Sequence, residues 1–279
     1  LPTSLIAGSA QEDFRIAALR KLSIVKVYEL NRYTFPTIEG RFYLLIADKK
    51  VSRKHIVFEK PFSSKTAIIK VPKRDLLKDS SRLDFSYYFA QLKLQQALER
   101  DELDWVVLRD VCDVVRGSVS APESFDGVAH TDCFKSGFWQ VDTINSHDLN
   151  HKNFLENGDL MVKRVSRNCH KTFGVYELDR RLPFSDCILR IRPEGIGGAL
   201  ELLFAIRVVY SSGLGKQLLL KGSGANYISV GNILSMNVPR GLALAYKAEF
   251  EEFKRFYRNK NYACAVEVEN RVHSSLFLM

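Results

Sequence analysis

From Gln11 to Leu22 the apolar residues Phe14, Ala17, Ala18 and Leu22 recur at helical spacing, which predicts an amphipathic helix. The period then changes. Ile24 to Leu30 alternates like a half-buried strand, and Arg41 to Ala47 is a nearly continuous apolar run of the kind that predicts a strand buried on both faces. His55 to Glu59 and Thr66 to Lys70 predict two further strands. Pro72 to Ser81 is polar and charged and predicts a linker or surface crossing.

A second unit begins near Leu83. Tyr87 to Arg100, rich in Leu, Gln and Ala, predicts a helix. Trp105 to Arg116 reads as an amphipathic helix that Gly117 would end. A turn-rich stretch follows, from Ser118 to Ser136. Strands are predicted at Phe138 to Val141, Leu160 to Val165 and Cys187 to Ile191. Leu200 to Tyr210 is a strongly apolar helix, continued by Leu214 to Lys221 after a kink at Gly213. Ser229 to Leu234 reads as a helical turn and Met236 to Pro239 as a short strand. From Leu242 the chain reads as helical for up to about 25 residues, and the face Leu244, Ala248, Phe250, Phe253, Phe256 and Tyr257 is too apolar to leave in water. The resulting class is α+β. It comprises a small N-terminal α/β segment (1–80), a mixed, largely antiparallel sheet with flanking helices (81–240) and a long C-terminal helix (241–279).

Charge changes this picture by its distribution. Residues 1–80 hold 16 Lys/Arg against 8 Asp/Glu, residues 81–160 hold 7 against 14, and residues 161–279 hold 18 against 10. Basic segments beside an acidic one suit a polyanion on one side and another partner elsewhere. The five cysteines, Cys112, Cys133, Cys169, Cys187 and Cys264, are scattered singly, which fits reduced thiols in a cytoplasmic protein with neither zinc nor a disulfide framework. No apolar run reaches the roughly 18 residues of a membrane span, and no secretion signal opens the chain. Because the sequence starts at Leu1 rather than Met, it is expected to be part of a longer polypeptide.

Catalytic signatures are sparse. Gly-Ile-Gly-Gly at 195–198 lies between a strand and a helix but lacks the full spacing of a cofactor loop, and is read as a connection. There is no P-loop, no Pro-Pro and no convincing nuclease cluster. His147 and His151 stand four apart, a spacing that suits a metal on a helix, but they occupy a polar loop. His130 and His170 have no partner for acid–base work that the sequence reveals.

Residues 105–240 resemble the target recognition domain of type I restriction specificity subunits. The similarity runs through Trp105–Gly117, Trp139–Ile144, Gly158–Val165, Ser185–Pro193, Gly222–Ser229 and Ile233–Pro239, in the family's order. The chain departs from the family at Lys163, where Ser is usual, at Ser166 and Cys169, where glycines are usual, and after Pro239. It also carries one copy of a domain that is typically repeated. Ala10 to Lys49 resembles the closing elements of an N6-adenine DNA methyltransferase domain, so residues 1–80 would be those elements or an unrelated small α/β domain. The resemblance implies sequence recognition on double-stranded DNA for a restriction-modification system, with methyltransferase and restriction subunits as partners. It implies S-adenosylmethionine for the full polypeptide or a partner, and no catalytic site in this chain. The C-terminal helix would act as a spacer or as a contact for a second copy. Two rival readings stay open: a partial methyltransferase completed by a partner, and a protein-interaction scaffold.

Under this resemblance the DNA contacts would come from Lys163, Arg164, Arg167, Asn168, His170 and Lys171 on one strand and loop. A second loop would add Lys221, Ser223, Asn226 and Tyr227, with Arg116 as an outlying candidate. Arg and Lys suit guanine O6/N7 and Asn suits adenine. The 163–171 and 221–227 loops are expected to lie side by side. Arg190 is a weaker candidate that an ion pair would account for equally well.

Overall fold

The computed structural model of the protein describes residues 1–30, 34–35, 41–48, 53–62, 65–78, 82–100, 102–120, 127–135, 138–139, 153–194, 197–220 and 226–277. The fold is mixed α+β, in two compact units, one built on residues 1–94 and the other on residues 95–220 with 226–277.

In the first unit, helices α1 (Thr3–Ala7) and α2 (Glu12–Lys21) precede strands β1 (Ile24–Glu29), β2 (Tyr43–Ala47), β3 (His55–Pro61) and β4 (Thr66–Pro72). The sheet order is β2-β1-β3-β4, with β1 and β3 parallel and the other pairs antiparallel. Val27, Phe58 and Ile69 stand in register and are buried, so the pleat sends one row into the core. Strand β2 corrects an expectation. It is the outermost strand of the sheet and is buried on one face alone: Tyr43 is 1% exposed, whereas Leu44 is 51% and Ile46 41% exposed, because successive side chains leave the pleat on opposite faces. Where a linker is expected to begin, α3 (Lys73–Lys78) instead follows β4 directly and buries Leu76. Helix α4 (Phe85–Leu98) contains the boundary between the units, and Tyr88 near its start packs on Phe58 of the sheet at 5.0 Å between ring centres.

The second unit begins with another correction. Trp105 to Arg116 is not a helix but β5 (Asp104–Val107), a 3-10 turn at Leu108–Asp110 and β6 (Cys112–Arg116). Val106, Val107, Val114 and Val115 favour extended backbone, and both strands find partners far along the chain. Short strands β7 (Phe134–Lys135), β8 (Phe138–Trp139) and β9 (Phe154–Leu155) lead to β10 (Leu160–Lys163). Then come β11 (Gly174–Val175), β12 (Leu182–Pro183) and β13 (Ile188–Pro193). The central sheet has the order β11-β10-β13-β6, all antiparallel. Leu160, Met161 and Val162 are each fully buried, so this sheet is covered on both faces. One face holds Met161 in a cluster with Phe134, Leu155, Tyr176, Leu182, Phe184 and Ile188. The expected strand residues Gln140 and Val141 lie outside the described residues.

Helix α5 (Ala199–Tyr210) is buried nearly all round, which makes it the unit's central helix. Helices α6 (Gly213–Leu219) and α7 (Val230–Leu234) follow, and β14 (Asn237–Arg240) pairs back onto β5. The C-terminal region is a succession of helices: α8 (Leu242–Ala245), α9 (Lys247–Arg258) and α10 (Tyr262–Phe277). The expected continuous helix stops after Arg258, where Lys260 takes a left-handed φ of 56° and Asn261 Oδ1 accepts from the Cys264 N–H at the start of α10. The chain itself covers the aromatic face of α9. Phe250 and Phe253 pack on Phe204 of α5, and Tyr257 Oη accepts from the Val175 N–H at 3.0 Å. On the outer side, Lys254 pairs with Glu251 one turn earlier, and Arg271 of α10 pairs with Glu252. No helix among the described residues is long and apolar enough to cross a membrane.

Candidate nucleic-acid interface

Strand β10 ends at Lys163, and the chain then turns through residues 164–168 into a 3-10 turn at Cys169–Lys171. Thr172 closes this loop. Its Oγ1 accepts from the Lys163 N–H at 2.9 Å and donates to the Cys169 carbonyl at 2.8 Å. The segment 226–228 lies directly alongside. Val165 and Tyr227 form an antiparallel bridge, the Ser166 N–H donates to Asn226 O at 3.2 Å, and the Ile228 N–H donates to Arg164 O at 2.8 Å. The Asn226 side chain adds a bond from Nδ2 to Arg167 O at 3.3 Å. Residues about sixty positions apart are therefore held in register by backbone hydrogen bonds, and the expected adjacency of the two loops is met at Asn226 and Tyr227. Lys221 and Ser223 lie outside the described residues, as do His147, His151 and Gly195.

The expected contact residues divide by burial. Arg167, Asn168 and Lys171 are exposed, and Lys163 and Arg164 are half-buried. Lys163 Nζ stands 5.5 Å from the centre of the Phe134 ring, which biases its stem along an apolar neighbour. His170 points the other way. It is 1% exposed, its Nδ1 meets no hydrogen-bond partner among the described residues, and burial, with Lys171 and Lys216 adding repulsion, lowers its pKa from 6.5 to about 4. Residue 170 occupies the inward side of the 3-10 turn, so His170 leaves the set of contacts.

That burial has a consequence for stability. The unfolded chain binds a proton at His170 below about pH 6.5 and the folded chain does not until about pH 4, so stability falls as the pH is lowered through this window. The His170 contribution is expected to reach about 3 kcal/mol. Urea denaturation of the wild type and His170→Leu at pH 7, 5.5 and 4.5 checks it. The wild type should lose more stability than the variant, and a gap between them that is independent of pH would refute the account.

Arg116 and Arg164 meet at a residue that sequence reasoning passed over. Asp186, in the turn before β13, accepts at its carbonyl from Arg164 Nε at 2.8 Å and from Arg116 Nε at 3.1 Å. Its carboxylate forms an ion pair with the Arg116 guanidinium and accepts from Cys187 Sγ. Partial burial opposes ionisation of Asp186, but the bonds from Arg116 and Cys187 and the charges of Arg116 and Arg164 outweigh it and hold the carboxyl below its ordinary range. The backbone is fixed from both sides, since the Arg164 N–H donates to Cys187 O at 2.7 Å and the Asp186 N–H to Val119 O at 2.9 Å. Among the described residues no acceptor meets the Nη groups of Arg164 or the side chain of Arg167. Arg190 is 8% exposed and engaged with Asp113 and the Phe154 carbonyl, so it belongs to the interior.

Other chemistry is limited. Burial raises the Cys133 and Cys169 thiols to about 11, which leaves them poor nucleophiles at neutral pH. No group of three His, Cys, Asp or Glu side chains suited to a metal occurs among the described residues. At Gly197 and Gly198 the Glu201 carboxylate folds over the turn and accepts from the Gly198 N–H, so an anionic ligand there would meet like charge.

No family model matches the chain, and no curated protein matches it. Among solved structures the fold is similar to the type IIG restriction endonuclease BpuSI, with a TM-score of 0.44 and 10% identity over 97% of this chain and 41% of that one. It is similar to the HsdS subunit from Thermoanaerobacter tengcongensis, with a TM-score of 0.41 and 14% identity over 75% of this chain and 59% of that one. The type I restriction-modification S subunit from M. genitalium gives a TM-score of 0.36 and 13% identity over 61% of this chain and 44% of that one. The chain spans less than two thirds of the length of each of these structures.

Proposed function

We propose that the second unit binds double-stranded DNA and reads its sequence through the paired 163–171 and 226–228 segments. The observation that carries this reading is Arg164. Its Nε is tethered to a backbone carbonyl at 2.8 Å, while its Nη groups meet no acceptor among the described residues. A guanidinium held in this way has lost much of its rotamer freedom before binding, yet keeps the donor edge that matches guanine O6 and N7. Exposed Arg167, Asn168 and Lys171 beside it supply phosphate and base-edge contacts, and the surplus of Lys/Arg over Asp/Glu in residues 161–279 supplies sequence-independent attraction. Lys163, Asn226, Tyr227 and Arg116 complete the proposed surface.

In this reading the chain is the specificity part of a restriction-modification system. Residues 81–240 form the recognition domain, residues 1–80 the closing elements of a methyltransferase domain, and residues 241–279 the spacer. Methyl transfer, with its S-adenosylmethionine, would belong to the remainder of the polypeptide or to a partner subunit.

Fluorescence anisotropy on duplex DNA over a salt series tests the proposal. A steep fall of affinity with salt is expected, whereas a flat response would favour a protein scaffold. Arg164→Ala is expected to cost roughly 1–3 kcal/mol on the preferred sequence and to relax preference at one base pair. Arg167→Ala is expected to weaken all sequences alike and to reduce the salt slope by about one unit if it neutralises a phosphate. An Arg164→Ala/Arg167→Ala double variant with unchanged affinity and slope would remove this loop from the interface.

A further inference from the structure

Strands β6, β13 and β10 are neighbours in the central sheet, and near their ends stand Arg116, Asp186 and Arg164. The Asp186 carboxylate is ion-paired with the Arg116 guanidinium, and the Arg164 guanidinium is held beside it on the Asp186 backbone carbonyl at 2.8 Å. All three groups reach the surface: the side chains of Arg116 and Asp186 are 48% and 26% exposed, and Arg164 is half-buried. This is a donor–acceptor–donor array, set at the ends of three neighbouring strands. It also puts a negative charge where a surface built only to grip phosphates would carry none.

The major groove offers a complement. Guanine presents two acceptors, O6 and N7, and cytosine presents one donor, its N4 amine. Where a cytosine lies beside a guanine on its own strand, its amine is flanked by acceptors from that neighbour and from its pairing guanine. We infer that Asp186 is a base-reading residue that accepts the cytosine N4 amine, with Arg116 and Arg164 on the flanking guanines, so that the chain prefers sites containing a cytosine–guanine step. The inference rests on the DNA-recognition reading above and names its substrate class.

Selection of bound duplexes from a randomised pool, followed by anisotropy on the winners, tests it. The wild type is expected to enrich a cytosine–guanine step. Asp186→Ala is expected to lose about tenfold or more of the preference at that step while binding unrelated DNA more tightly, because one negative charge has left a basic surface. Asp186→Asn keeps the size and one acceptor but adds an amide donor, and its preference should move from cytosine toward adenine. A residue that merely positions Arg116 predicts something else: a relaxed guanine preference, an unaltered preference at the cytosine and no move toward adenine in Asp186→Asn. That result, or a wild-type preference without the step, overturns the inference and leaves DNA recognition standing. A wild-type chain that shows no sequence preference, or no DNA binding, overturns both.

Discussion

Gly117→Ala is expected to destabilise the second unit by about 3 kcal/mol or more, a large loss for the addition of one methyl group. Gly117 follows β6 and donates its N–H to Ile188 O at 3.2 Å. A Cβ at this position would stand 2.0 Å from the Ser185 carbonyl oxygen and 2.4 Å from that of Phe184. Both obstacles are backbone, and neither can step aside by changing rotamer. Ser185 is itself fixed, because its N–H donates to Ala129 O at 2.9 Å and His130 Nδ1 lies 2.8 Å from its hydroxyl. Relief therefore requires β6 to move away from the chain that carries Asp186, which draws Arg116 off its carboxylate. For a unit of this size the stability loss corresponds to roughly 6–12 °C in Tm. Gly198→Ala is the matched control: a methyl group there would meet nothing within 4 Å among the described residues, and the residue's φ is −82°. The change there is expected to cost less than about 1 kcal/mol. Thermal and urea denaturation of both variants check the pair, and a Gly117→Ala protein as stable as Gly198→Ala would refute the close approach.

How much of this was legible in the sequence follows from which forces are local. The helix over Tyr87 to Arg100 and the strands at β1, β3, β4, β10 and β13 rest on periodicity, which neighbours in sequence determine. The basic stretch from Lys163 to Lys171 was visible as composition, and the Gly-Ser loop ahead of Asn226 as a motif. Trp105 to Arg116 misled because its valines satisfy a helical spacing as well as an extended one. The decision falls to β13 and β14, more than seventy residues downstream. The inward turn of His170 follows from the 3-10 geometry at Cys169–Lys171, which no spacing rule anticipates. Asp186 carried no signal of its own: a single acidic residue in a turn gains meaning only when β6 and β10 bring two arginines to it. The break after Arg258 did leave a trace, the run Asn259-Lys260-Asn261, whose residue types favour left-handed backbone and helix caps.

Arg207 left a trace as well, as the one charged residue between Leu202 and Tyr210 in an otherwise apolar helix, and it carries the second large expectation. Its guanidinium binds Glu269 of α10 through Nε at 2.5 Å and Nη2 at 3.2 Å, with the two side chains 1% and 3% exposed. Its Nη1 reaches back to the carbonyls of Lys171 and Phe173 at 2.9 and 3.0 Å. One side chain thus ties together α5, α10 and the base of the proposed DNA-reading loop. Burial raises the Glu269 pKa and Arg207 works against that rise, so the carboxylate depends on this partner for its charge. Glu269→Ala is expected to cost about 3–5 kcal/mol, because it strands a buried guanidinium with nothing to neutralise it. Exchanging both residues, Arg207→Met with Glu269→Leu, removes the charges together, and most of that stability should return. The loop would not recover with it, since the carbonyls of Lys171 and Phe173 have then lost their donor. The double variant should therefore melt near the wild type while the Lys171 and Thr172 amides exchange faster, and the base preference assigned to Arg164 should weaken. Denaturation separates the two effects from hydrogen exchange. A Glu269→Ala protein within about 1 kcal/mol of the wild type would show that the pair is not buried as described. Unchanged exchange at Lys171 and Thr172 in the double variant would show that Arg207 supports the core alone and not the loop.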